Sequence, residues 1–228
     1  MLFIGHEIVR HFVRKRRPSL CPSSSGFGFF LLELPFIRSF VGASAIIGRM
    51  GVGPGMKVLD VGCGPGRLTI PLAETVGPGG HVVALDIQEG MLQELRKRIS
   101  RRRLDNIEVV QGGIGDGTMK AENVYDRAVL VAVLGEVPDK GSAFRELHRA
   151  LKPGGILSIT EIRLDPHYQK EATVVRVAEE TGFELAETHR NFLAITMNFR
   201  KPAPQLPGAD NVTPLRQLRN GGAADADV

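Results

Sequence analysis

Three glycines and two acidic residues in the first half of this 228-residue chain carry its clearest chemical signal. Residues 58–67, VLDVGCGPGR, run from an apolar strand into glycines at 62, 64 and 66 and then directly into helix-forming residues. Glycines at such a junction let the backbone turn sharply and approach a ligand with no side chain between them. Several glycine loops do this, and the spacing discriminates among them. A phosphate loop requires GxxxxGK followed by Ser or Thr, which is absent. A dinucleotide fingerprint, GxGxxG, requires Gly or Ala at position 67, where Arg67 stands. Asp60 precedes the loop, and Asp86 closes the run VVALD, 26 positions after Asp60. At that point a Rossmann-like fold uses a carboxylate to accept the hydrogens of both ribose hydroxyls. The other reading is structural: a tight turn at 62–66, and in LDIQEG an Asp that caps the following helix.

The elements that must position these residues are legible as alternating apolar runs. MKVLDVG, HVVALD, IEVVQG, YDRAVLVAVL and GGILSITEI read as strands; GRLTIPLAETVG, residues 88–102, residues 140–151 and residues from about 168 to 181 read as helices. Continuous Val, Ile and Leu runs mean strands buried on both faces. They predict a parallel sheet with helices on both sides and a ligand site at the strands' C-terminal ends. The last two runs, FELAETHR and NFLAITMNFR, are joined too tightly for a crossover and read as an antiparallel hairpin at the sheet edge.

Composition bounds the rest. With 43% hydrophobic and 24% charged residues the chain is neither disordered nor fibrous. Lys and Arg number 29 against 25 Asp and Glu, a net +4 that suits an anionic surface among its partners but falls short of a dedicated nucleic-acid binder. The two cysteines, Cys21 and Cys63, cannot build a disulfide framework or a four-thiolate zinc site, and His148 and His189 have no metal-ligand spacing, so no metal is expected. The chain divides into an extension over 1–50, a binding domain over 51–201 and a tail over 202–228 rich in Pro, Gly, Ala and Asp that reads as disordered. Residues 1–17 have the spacing of a basic amphipathic helix. The basic run 14–17, the apolar FGFFLLELPFI and the small residues Ala43, Ser44 and Ala45 imitate a signal peptide, but Glu33, Pro35 and Arg38 interrupt it. The expected location is cytoplasmic, with peripheral membrane contact through 1–17.

Asp60, Val61, Gly62, Cys63, Gly64, Pro65 and Gly66 resemble motif I of the class I S-adenosylmethionine-dependent methyltransferases, an acidic residue, one further residue, then GxGxG. VLVAVLGEVPD followed by FRELHRALKPGGILSITE is similar to the fourth strand, the helix and the LKPGG turn into the fifth strand of the same superfamily. The likeness is specific over 51–161, weaker to 201, and nearest the small-molecule branch that includes the ubiquinone and menaquinone C-methyltransferases. It implies an α/β, Rossmann-like fold: a seven-stranded, mostly parallel sheet with an antiparallel edge hairpin and helices on both faces. It implies S-adenosylmethionine as cofactor, with S-adenosylhomocysteine as product. Asp60 would then face the methionine ammonium, directly or through water, and the backbone at Gly62, Cys63, Gly64 and Gly66 the carboxylate. Asp86 would hold the ribose, with Ile87 and Val131 flanking the nucleoside. The third motif departs from the family's Gly-Asp-Ala: the chain has Gln111, Gly112, Gly113, Ile114, Gly115, Asp116, with no carboxylate at 113. Asp116, or the backbone at Gly113 and Ile114, is expected to serve the adenine instead; a surface loop with an incidental Asp is the alternative.

Methyl transfer from a sulfonium is an in-line displacement, so alignment and exclusion of water carry much of it, and a base is needed only where the acceptor loses a proton. Amino-methylating members carry (D/N)PP(Y/F) after the fourth strand, where this chain reads LGEVPD. DPHY at 165–168 follows the fifth strand, one crossover too late, and reads as a turn and helix start with Pro166 at the first helical position. Glu136 and Glu161 at strand C-terminal ends, and His167, are the candidates for acceptor positioning or general base; solvated loop carboxylates are the alternative. FGFFLLELPFI with FVGASAIIG suggests an apolar lid and a small, lipophilic or aromatic acceptor, or else simple cover for one sheet face. The cluster Arg96, Lys97, Arg98, Arg101, Arg102, Arg103 reads as a solvated helix end. With 2 Tyr and 0 Trp to stack on bases, nucleic acid is an unlikely partner. RNA or protein methylation and non-catalytic S-adenosylmethionine binding are the rival functions; the sequence carries no signal of oligomeric state.

Overall fold

The computed structural model describes residues 42–203. The amphipathic segment 1–17, the apolar stretch 27–37 and residues 204–228 of the tail lie outside the described residues.

Seven strands form one sheet in the order β3-β2-β1-β4-β5-β7-β6. They are β1 Lys57–Val61, β2 His81–Asp86, β3 Ile107–Gln111, β4 Tyr125–Val131, β5 Leu151–Ile162, β6 Glu184–Arg190 and β7 Ala194–Arg200. The first five pair in parallel, and β7 pairs antiparallel with both β5 and β6. Among the described residues five helices accompany them: α1 Ala43–Met50, α2 Thr69–Val76, α3 Glu89–Arg102, α4 Lys140–Ala150 and α5 Glu171–Glu180, with one 3-10 turn at Leu134–Glu136. The order reverses between β1 and β4, which opens a crevice at their C-terminal ends.

Strand alternation sorts the core into two faces. Leu59, Val61, Leu85, Leu130, Leu157 and Ile159 pack with α4 and α5. Val58, Val82 and Val129 pack with α1 and α2, and Ala84 packs under α3. Helix α4 turns Ala143, Phe144, Leu147 and Ala150 inward, all fully buried, and each of the two large side chains contributes about 1.5–3 kcal/mol. Helix α1 is held at its C-terminal end by the half-buried Arg127 of β4, which donates to the carbonyls of Met50 (2.6 Å) and Gly51 (3.1 Å). Asn198 of β7 donates to the Arg49 carbonyl (2.8 Å).

Two local expectations shift. The helix expected from about 168 begins at Glu171, and Pro166 lies in a turn closed by Tyr168 N–H to the Asp165 carbonyl (3.0 Å). Strand β5 starts at Leu151, so the KPGG segment belongs to an irregular strand entrance, with the register shift opposite Tyr125/Arg127, rather than to a free turn. The link from β3 to β4 carries no helix.

Candidate functional site

Strand β1 delivers Asp60 and the glycine loop to the crevice. Gly62 has φ +67°, and a Cβ there would lie 2.3 Å from Val133 Cγ2, so the loop lies flush against the segment after β4. The Gly62 and Cys63 amides both donate to the Leu85 carbonyl (2.7 and 3.1 Å), and the Gly66 amide to the Cys63 carbonyl (3.0 Å). These three amides shape the loop instead of facing outward. Gly64 differs. Its φ is +52°, a Cβ there would meet nothing within 4 Å, and its amide donates to Asp86 Oδ2 at 2.9 Å. The loop thus presents one open, side-chain-free surface, at Gly64. The Cys63 side chain is buried, and burial pushes its thiol well above the ordinary range.

Strand β2 ends in Asp86, 7% exposed. Its Oδ1 accepts the Gln88 amide (2.8 Å) while Oδ2 takes that of Gly64, so the side chain ties the glycine loop to the start of α3. The N-cap of α3 is Gln88. Asp86 therefore closes a turn before the helix, and its Gly64 bond faces the crevice. Ile87, next in sequence, is 62% exposed, an unusual place for a large aliphatic side chain.

Asp60 is 3% exposed and accepts the Thr69 hydroxyl of α2 on Oδ2 (2.7 Å). Burial pushes its carboxyl up to about 7; the Thr69 bond pulls it down, and Asp86 raises it further. Burial and the second acid favour the protonated form of Asp60, and a cation brought beside it would favour the ionised one.

Beyond β3, Asp116 folds onto its own loop, accepting from the Gly113 amide (3.1 Å) and the Thr118 amide (2.9 Å). Burial raises its carboxyl, but the hydrogen bonds from Thr118 and Gly113 outweigh that and hold it below the usual range. Ile114 is buried in the core. The residue that anchors this loop is Glu146 of α4, 4% exposed, which accepts the Gly115 amide (2.5 Å) and the Met119 amide (2.6 Å). Sequence reasoning missed it; the one clue was an acid on the apolar face of Ala143, Phe144 and Leu147.

The acceptor-side candidates occupy two touching loops. After the half-buried Val131, Ala132 adopts the left-handed φ +54° and donates its amide to the Thr160 carbonyl (2.8 Å). A strained non-glycine residue at the switch point is a site signal that periodicity could not supply. Glu136 is exposed in the following 3-10 turn. Gly135 lies against the His167 backbone, where a Cβ would meet the carbonyl oxygen at 2.0 Å. Glu136 and His167 thus belong to neighbouring loops, and the His167 side chain is exposed. Glu161 is 2% exposed; its Oε2 accepts the Gln169 amide (2.9 Å), and Oε1 has no hydrogen-bond partner among the described residues. Burial pushes Glu161 up to about 7, with Asp165 raising it and the Gln169 bond and Lys140 lowering it. Among the described residues no group of three or more His, Cys, Asp or Glu is arranged to hold a metal ion.

Known proteins share this architecture. The structure of a SAM dependent methyltransferase from Aquifex aeolicus is similar with a TM-score of 0.68 and 23% identity, over 75% of this chain and 95% of that one, a likeness of fold. The demethylmenaquinone methyltransferase of Geobacillus stearothermophilus is 37% identical over 123 residues, 54% of this chain and 52% of the relative. That of Listeria monocytogenes is 38% identical over 109 residues, 48% and 46%. The chain thus spans about half the length of the curated relatives it matches. Residues 53–214, from just before β1 through the whole sheet, match the Methyltransferase domain family. With the glycine loop, Asp86 and the reversed strand order in their places, the chain belongs to that family.

Proposed function

We propose that the chain is an S-adenosylmethionine-dependent methyltransferase acting on a small, lipophilic or aromatic acceptor of the quinol class. The observation that carries it is the open surface of Gly64 beside Asp86, at the ends of adjoining strands. The residues fit the cofactor: a cation-seeking buried acid, an exchangeable carboxylate at the ribose position and an exposed aliphatic face. S-adenosylmethionine would supply an electrophilic methyl group on a sulfonium, transferred in line to the acceptor's electron pair as the thioether S-adenosylhomocysteine leaves.

In this reading the Asp86 carboxylate exchanges its Gly64 contact for ribose hydroxyls and keeps its Gln88 contact. Asp60 holds the ammonium, and Ile87 covers one adenine face opposite Val131. The Gly113 backbone serves the adenine edge, while Ile114 and Asp116 hold that loop in shape. Gly62, Cys63 and Gly66 keep the loop turned so that Gly64 is presented. On the acceptor side, Glu136 and His167 position the acceptor, and Glu161 takes a proton where one must leave. The quinol class rests on the demethylmenaquinone methyltransferases, which match over half their length. A cytoplasmic location and contact of residues 1–17 with an anionic membrane belong to the same proposal. No helix among the described residues is long and apolar enough to cross a membrane.

Calorimetric titration with S-adenosylmethionine, S-adenosylhomocysteine and NAD tests the cofactor. Binding of the first two near micromolar without NAD is expected; NAD alone, or no heat, overturns it. Incubation with reduced naphthoquinones and radiolabelled S-adenosylmethionine tests the acceptor. Labelled quinone is the expected product, and label passing only to RNA or protein would assign a different acceptor.

A further inference from the structure

The loop between β3 and β4 has no carboxylate at 113, and its own Asp116 is turned onto the Gly113 and Thr118 amides. Any reading of a base there falls to its backbone. The loop starts against the crevice: the Gly112 amide donates to the Asp86 carbonyl (3.0 Å), and a Cβ on Gly113 would lie 3.5 Å from Ile87 Cγ2. It then settles on the first turn of α4. Gly115 has φ +85°, and a Cβ there would meet the Ala143 amide nitrogen at 2.7 Å. Glu146, three residues further along α4 and 4% exposed, spends both oxygens on this loop. Oε2 accepts the Gly115 amide (2.5 Å) and lies 3.5 Å from that of Gly117, while Oε1 accepts the Met119 amide (2.6 Å). Arg149 of the same helix donates to the Met119 carbonyl (2.8 Å), and the Met119 side chain is buried in the core. The amides of residues 113, 115, 117, 118 and 119 thus end on two carboxylates, and Glu146 is the one that comes from outside the loop.

We infer that Glu146 is a positioning residue that determines base specificity: it fixes the loop on α4 before a ligand arrives, so that the backbone beside Ile87 distinguishes adenine from a 6-oxopurine. The inference rests on the reading of the crevice as an S-adenosylmethionine site. Adenine offers a donor at its 6-amino group and an acceptor at N1; a 6-oxopurine offers the reverse. A backbone held to match one pattern leaves polar groups unpaired against the other, and that mismatch is what discriminates. A backbone free to turn, or to admit water, suits both. Glutamine cannot replace Glu146 in this task. Both carboxylate oxygens accept amides, whereas a glutamine side chain serves one side and sets its own donor against an amide on the other.

Titration of the full chain with S-adenosylhomocysteine and S-inosylhomocysteine, which differ at the 6-position and N1 of the base, tests the assignment. The wild type should prefer the adenine compound at least about tenfold. Glu146→Gln should reduce that preference to less than about threefold, by weakening S-adenosylhomocysteine and leaving S-inosylhomocysteine nearly unchanged; retained binding of the latter reports a folded variant. Lys201→Gln releases three acceptors, Asn123 Oδ1 and the carbonyls of His148 and Leu151, at the opposite end of the sheet. It should lower the melting temperature and leave the preference intact, which separates specificity from stability. Hydrogen exchange on the ligand-free wild type needs no variant: the Gly115 and Met119 amides should be protected before any ligand is added. An unchanged preference in Glu146→Gln, an equal loss of preference in Lys201→Gln, no preference in the wild type, or unprotected amides in the ligand-free protein overturns the role of Glu146. Failure of the wild type to bind either compound overturns the cofactor reading itself.

Discussion

Asp60 and Glu161 lie near the C-terminal ends of two parallel strands, and burial pushes both up to about 7. They nevertheless sit on opposite faces of the sheet. Asp60 alternates with Val58 toward α1 and α2, whereas Glu161 alternates with Leu157 and Ile159 toward α4 and α5. Asp60 lies beside a hydroxyl and another acid, so it gains from any cation brought to the crevice. Glu161 is drawn to the amide of its own loop and to Lys140, and it keeps one oxygen unpartnered among the described residues. The side of the crevice at β1 and β2 is thus assembled from backbone turns and two neighbouring acids. The side at β4 and β5 is assembled from loops pressed together, with its buried acid bonded to those loops. A raised acid alone does not identify a role; its neighbours do.

The sharpest break between structure and binding lies within the glycine loop. Gly62→Val, at positive φ and against Val133, should cost about 2–5 kcal/mol and lower the melting temperature by about 4–20 °C. Gly64→Val, with open space at its Cβ, should leave the protein folded with a cost of about 1–2 kcal/mol and abolish S-adenosylhomocysteine binding. Equal effects from both would erase the distinction. Glu161→Gln keeps an acceptor for the Gln169 amide and cannot ionise. If Glu161 takes the acceptor's proton, turnover falls by about 100-fold and the limb of the rate profile near pH 7 disappears, with cofactor affinity unchanged. Retention of that limb would leave Glu161 as a loop anchor only. Asp86→Ala should weaken cofactor binding by roughly 5- to 150-fold, the worth of about 1–3 kcal/mol in charge-assisted bonds; unchanged affinity would remove the ribose role.

The Asp60 prediction is a pH dependence. Its folded-state value, about 7, lies above the ordinary 3.8. The native state therefore holds the extra proton between those values, and stability falls as pH rises across that window. Cofactor binding has the opposite slope, since an ammonium needs the ionised acid. Affinity should rise by up to about tenfold per unit toward pH 7 and then level off, with proton release visible as a buffer-dependent enthalpy. Asp60→Asn should flatten both curves, and a wild-type affinity independent of pH from 5 to 8 would sink the pairing. The smallest expected effect is at Ala132, where glycine removes the left-handed penalty and adds chain entropy, a net gain of about 0.5–1 kcal/mol in urea unfolding. A loss would mean that the Ala132 methyl, packed toward α1 and α2, outweighs the strain.

The strands, their parallel character and the edge hairpin were legible in the sequence because each has a local signature. Apolar runs, a glycine triplet and an acid at a strand's end depend on residues within a few positions of one another. The start of α5 was misjudged because the Gln169 amide goes to Glu161, eight residues back, which holds residues 165–169 in a turn. Glu146 reads as a surface acid in FRELHR until the loop beyond β3 is laid across it, and Thr69 as a helix residue until Asp60 lies beneath it. Arg127 reads as one charge within a strand until α1 sets its carbonyls over it. The sequence by itself determined the sheet, its helices and the place of the glycine loop, since these follow from periodicity and backbone freedom. Only the tertiary structure decided which acids meet which amides and which face of the sheet each occupies, because those contacts join residues tens of positions apart and their free energies depend on burial.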